Sequence, residues 1–95
     1  MTPDQIKISI EALRTTSYGQ VRGRIKNGEC NAFCCIGIMY LANFPKAGMP
    51  LSTVDAIVDL KLSQDLSKGF ILDNDRYYLS FAEIADKLER GEYPA

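Results

Sequence analysis

The chain is 95 residues long, which gives one domain, residues 1–95, and leaves no room for a second core. Its 46% hydrophobic and 24% charged residues exclude a disordered chain. Eleven basic against twelve acidic residues, a net charge of −1, exclude a strong general affinity for nucleic acid. The charge is unevenly placed. Between Arg14 and Lys46 stand five basic residues (Arg14, Arg22, Arg24, Lys26, Lys46) and one acidic residue, Glu29. From Gly48 onward there are nine acidic and five basic residues. Such halves either pair with each other on the surface or leave one face attractive to anions. The start, Met1-Thr2-Pro3-Asp4, has no basic and apolar leader, and the longest apolar run falls short of the about 20 residues that span a bilayer. Three cysteines, two of them adjacent, make no secreted disulfide framework. A reduced, cytoplasmic protein with no membrane partner is expected.

The first helix is announced by Thr2 as its cap, Pro3 at its first position and Gln5 returning the cap's bond. Met1 and Ile6 stand at the staple positions, and Ile6, Ile10 and Leu13 fall on one face. From Gln20 to Lys26 the pattern alternates, which predicts a strand. Asn27-Gly28 then reads as a hairpin turn, with a second strand running from Glu29 toward Phe33. Cys34 to Phe44 is apolar on every side. Met39, Leu41 and Ala42 favour a central buried helix near 34–44, ended by Phe44-Pro45. Pro45 to Pro50 is a loop. Ser52 with Asp55 starts another helix, with Val54, Ile57, Val58 and Leu62 as its apolar side. Phe70-Ile71-Leu72 and Arg76–Leu79 read as short strands about an Asp73-Asn74-Asp75 turn. Ser80 with Glu83 caps a last helix. Leu79 and Ile84 form its staple, and Gly91 and Pro94 stop it. The sum is a small α+β domain: a short antiparallel sheet packed with three or four helices, one of them central.

The adjacent Cys34 and Cys35 admit three readings. A structural zinc site wants four Cys or His ligands, and this chain has three Cys and no His, so no metal or cofactor is expected. A nucleophile at a helix start has a favourable field. It lacks the histidine base that papain-like chemistry needs, which leaves only a Cys–Asp or substrate-assisted reaction. Packing is the weightier reading, because free Cys behaves as a small apolar side chain. The acidic Asp73-Asn74-Asp75 opens like a calcium loop, but no Gly or Glu follows at the required offsets. A ligand is better sought on the alternating strand. There Gln20, Arg22, Arg24 and Lys26 share one face and Tyr18 precedes them. Arg76, Tyr77 and Tyr78 stand ready on a neighbouring segment. Guanidinium groups take phosphate in forked pairs, and tyrosines stack on a base or ribose. The plain alternative is a solvated strand face whose charges discourage edge pairing.

Cys34-Cys35-Ile36-Gly37, Leu72-Asp73-Asn74-Asp75 and Ser80-Phe81-Ala82-Glu83-Ile84-Ala85-Asp86 together resemble a family of small, functionally unassigned bacteriophage and prophage proteins. The family's pattern is a Cys-Cys-Leu-Gly-like helix start, a Leu-Asn-Asp-like turn and a Ser-Phe-x-x-Ile-Ala-Asp helix. The resemblance covers most of the chain. This sequence departs by an extra residue in the turn and by its own segment from Pro45 to Gly69. The resemblance implies a phage setting and carries no catalytic residue across. In that setting the expected function is non-catalytic: sequestering a small anionic, nucleotide-derived signal of host defence through Tyr18, Arg22, Arg24, Arg76, Tyr77 and Tyr78. An inhibitor of a host protein acting through the acidic half, or a Cys-dependent enzyme, are the alternatives. Pairing of two copies would enlarge so small a core.

Overall fold

The computed structural model describes residues 1–29, 31–48 and 52–93. Readings that rest on Cys30, on Pro50 or on Pro94 lie outside the described residues. In chain order the elements are α1 (Pro3–Thr15), β1 (Gly19–Gln20), β2 (Ala32–Phe33), α2 (Cys35–Asn43), α3 (Thr53–Asp59), α4 (Gln64–Ile71), a wider π-helical turn (Leu72–Arg76) and α5 (Phe81–Glu89). The domain is α+β, as its sequence predicts, but helices dominate it and the sheet is a two-residue parallel pair.

The helix starts stand where their capping residues put them. Thr2 and Gln5 close a reciprocal box on α1, and Ser80 and Glu83 close one on α5. Ser52 accepts from the Asp55 N–H at the head of α3, and Ser63 accepts from the Leu66 N–H at the head of α4. Each cap satisfies donors that a helix cannot satisfy itself. At the far end of α5, Gly91 takes a left-handed φ of +72°. The Gly91 and Glu92 N–H groups turn back to Leu88 and Lys87, a Schellman closure.

α2 is the centre. Every residue from Phe33 to Tyr40 is buried, so this helix is covered all round, as an all-apolar sequence requires. α1 packs on α2 and on α5, while α3 and α4 close further sides of α2. Ser9 joins α1 to α2: its hydroxyl donates to the Gln5 carbonyl (2.7 Å) and accepts from Asn43 Nδ2 (3.0 Å). Arg14 reaches from α1 to Asp86 and Glu89 of α5, so one point of the basic half is paired with the acidic half.

Five expectations need correction. No strand runs through 20–26, and Asn27-Gly28 makes no hairpin. β1 instead lies parallel to β2, through Gly19 N–H to Asn31 O (3.1 Å) and Val21 N–H to Phe33 O (3.0 Å). The chain then bends, and Lys26 meets Phe33 in one antiparallel bridge on β2's other side. The Asn27 amide oxygen accepts the Asn31 and Ala32 N–H groups, so it shapes a longer loop instead of a two-residue turn. The sheet is therefore parallel, not antiparallel. Next, 70–79 holds no strand: Phe70 and Ile71 end α4, and Asp73-Asn74-Asp75 are the middle of the π-helical turn. That turn closes with Tyr77 N–H on Leu72 O (2.9 Å), five residues back, and Tyr78 leaves it at a φ of +57°. Finally, only half of the stripe expected on α3 turns inward: Leu62 is buried and Ile57 packs against the core beside Ala56. Val54 and Val58 stay 68% and 66% exposed. The fold thus has five α-helices among the described residues, where three or four were expected.

Candidate functional site

The π-helical turn sends three consecutive side chains to three different places. Asp73, 5% exposed, accepts from Lys87 Nζ and from the Tyr93 hydroxyl, both at 2.6 Å on Oδ2. Tyr93 lies on Phe70 with ring centroids 4.6 Å apart, so this carboxylate fastens the residues after α5 onto α4. Burial and the Asp73 carboxylate together push the Tyr93 hydroxyl well above the ordinary tyrosine range, which keeps it a donor.

Asn74 is 1% exposed and joins three segments. Its Oδ1 accepts from Gln20 Nε2 (2.8 Å) and from the Cys35 N–H (3.1 Å). Its Nδ2 donates to the Val21 carbonyl (2.9 Å) and to Asp75 Oδ1 (2.7 Å). One side-chain amide thereby caps α2, holds the end of β1 and orients the next carboxylate. This explains why α2 needs no polar residue at its cap position, which Cys34 occupies. A buried polar group with all of its hydrogen-bonding capacity used is a strong specifier of one geometry.

Asp75 lines a cleft of about 350 Å³ above the head of α2. Arg24 and Gly23 of the bent 21–25 segment form one side. Val54, Ile57 and Ile71 supply aliphatic wall, and the buried Cys34, Cys35, Ile36 and Asn74 lie at the base. Arg24 is exposed and makes no ion pair with Asp75 or with any other described residue. The two thiols are buried. Desolvation pushes Cys34 up, outweighing the Ile36 and Gly37 N–H groups that favour its thiolate. Cys35 is pushed up further by the same cause, and its sulfur faces the Phe70 carbonyl at 3.6 Å. The sulfurs thus fill space beneath the cleft.

The six residues expected to bind ligand do not share one surface. Arg24 lines the cleft. Arg22 is half-buried and stacks its guanidinium 5.0 Å from the centre of the Tyr78 ring, and its buried Nε has no hydrogen-bond partner among the described residues. Arg76 ends the π-helical turn at the surface, and Tyr77 is exposed beside it. Tyr18 packs its ring edge on Phe33, centroids 4.8 Å apart, and borders a different groove of about 500 Å³ between α1 and α2. That groove is the larger of the two, but no charged side chain among the described residues lines it. Asp75, Val54 and Ile71 belong to the candidate site without having been singled out for it. Asp75 reads as part of a turn in the sequence, and only the π-helical turn aims it inward. Among the described residues there is no cluster of three or more Cys, Asp and Glu side chains fit to hold a metal ion, and no helix long and apolar enough to cross a membrane. Comparison with protein-family models, with curated proteins and with solved structures finds no match.

Proposed function

We propose that the chain is a non-catalytic binding protein, and that its ligand is a small anion with a flat, partly apolar body, of the nucleotide-derived kind. The single observation that carries this reading is Arg24: an unpaired guanidinium beside a cleft with aliphatic walls. A volume of about 350 Å³ sits at the low end of the roughly 300–1,000 Å³ of small-molecule sites. It suits one mononucleotide, not a cyclic oligonucleotide. The buried thiols at its base have raised pKa values and offer packing, not a thiolate. The phage resemblance gives such binding a use, the sequestration of a nucleotide signal of host defence in the host cytoplasm.

Calorimetric titration with a panel of mononucleotides and ADP-ribose derivatives tests the reading. A charge-assisted hydrogen bond is worth about 1.5–3 kcal/mol, so Arg24→Ala is expected to weaken binding at least about tenfold. Because Arg24 is exposed and unpaired, its loss should move stability by no more than about 0.5 kcal/mol. No binding by any member of the panel, or binding indifferent to Arg24→Ala, contradicts the proposal.

A further inference from the structure

The geometry points to a guanine nucleotide as the occupant of the cleft, with Asp75 reading the base and Arg24 holding the phosphate. This inference rests on the binding reading above and narrows it. A ligand that only needed a cation would not need Asp75, whose negative charge in the same cleft opposes an anion. The carboxylate therefore has to be matched by donors on the ligand. One of its oxygens is held by Asn74 Nδ2 at 2.7 Å, and Asn74 is itself locked by Gln20, Val21 and Cys35, so that oxygen is placed in advance. The other oxygen has no hydrogen-bond partner among the described residues. Asp75 and Arg24 make no ion pair with each other, so neither must be released before a ligand enters.

A ligand complementary to a cleft lined by both groups carries a pair of N–H donors for the carboxylate, an anion for the guanidinium and a flat body for the apolar wall. Among the nucleobases, guanine presents two adjacent donors, N1–H and the 2-amino group, on its Watson–Crick edge. Adenine presents a donor beside an acceptor, and an acceptor facing a carboxylate is repelled. Hypoxanthine keeps N1–H and loses the amino group. Val54, Ile57 and Ile71 give the ring apolar surface. Free L-arginine shares the two-donor edge and an anionic group, but it lacks a ring to lie against those walls.

The test is a thermal-shift and calorimetric series on the full chain with GMP, IMP, AMP, guanosine and L-arginine, on the wild type and on Asp75→Asn and Arg24→Ala. An Asn at 75 retains an oxygen to accept from Asn74, so Asp75→Asn is expected to keep the apo melting temperature. The expected order on the wild type is GMP over IMP over AMP, with at least about tenfold between the ends, the discrimination of one good base contact. Asp75→Asn should erase that preference, and guanosine should bind more weakly than GMP. Equal binding of GMP and AMP, both lost in Arg24→Ala, overturns the guanine inference and leaves the binding reading standing. Stabilisation by L-arginine and not by GMP also overturns it. No response to any nucleotide overturns both.

Discussion

Asn74→Ala is expected to cost about 2–6 kcal/mol, a large share of the roughly 5–15 kcal/mol that holds a domain together. The substitution strands the buried Cys35 N–H and leaves the half-buried Val21 carbonyl without its partner. Each unsatisfied group costs about 1–3 kcal/mol. Gln20 Nε2 suffers less, because it also donates to the Leu79 carbonyl at 2.9 Å. Asn74→Asp separates the two halves of the amide's work. It keeps acceptors for Gln20 and Cys35, loses both donated bonds and sets a carboxylate between Asp73 and Asp75. It should be destabilised as well. Urea unfolding followed by circular dichroism measures both variants. Stability of Asn74→Ala within 0.5 kcal/mol of wild type, the range of an ordinary surface substitution, would deny this amide its joining role.

The second large effect has a sign that local propensity gets wrong. In a helix interior, Gly→Ala ordinarily gains about 1 kcal/mol. Gly37 lies in α2, yet Gly37→Ala is expected to lose about 1–3 kcal/mol, the usual cost of forcing extra atoms into a packed core. A Cβ at position 37 would stand 2.8 Å from the Ile25 carbonyl oxygen and 3.1 Å from Phe33 Cβ. The Ile25 carbonyl cannot retreat freely, because it accepts the Cys34 N–H at 2.9 Å. The missing side chain is what lets the bent 21–25 segment cross the head of α2 closely enough to bring Arg24 to the cleft. A Gly37→Ala variant more stable than wild type in the same urea titration would contradict that packing.

These two residues also mark where the sequence can be read and where it cannot. Caps are local: Thr2 with Gln5, and Ser80 with Glu83, carry their partners three residues away, and the structure builds both boxes. An all-apolar run such as 34–44 has to be covered all round, and Met39, Leu41 and Ala42 tip it from a buried strand to the central helix. Asn74 is different. Its partners, Val21 and Cys35, are far away in the chain, and no local pattern announces them. Without them, Phe70-Ile71-Leu72 followed by Asp-Asn-Asp looks like a strand and a turn. With them, burial of Asp73 and Asn74 rewards a helix that continues and widens. The Asn27-Gly28 signal misleads for a related reason. A hairpin there would have to give up the parallel pairing of Gly19 with Ala32, which the Val21–Asn74 bond reinforces from outside the segment. On α3, Val54 and Val58 outweigh Ala56 by hydrophobicity, but the small Ala56 is what fits against α2. Of the site, Arg24 was legible from its charge. Asp75 was not, because its aim depends on the π-helical turn, and Tyr18, Arg76 and Tyr77 face elsewhere.

On the proposed binding role, the cleft over α2 holds a ligand without reacting with it, because the adjacent sulfurs beneath it are packed and their burial favours the thiol. The most direct measurement is native labelling with iodoacetamide at neutral pH, read by peptide mass spectrometry and compared with labelling in denaturant. Cys34 and Cys35 are expected to stay unmodified while the chain is folded and both to be alkylated once it is unfolded. Rapid alkylation of Cys34 or Cys35 in the folded protein would contradict this role and return the cleft to the class of reactive sites.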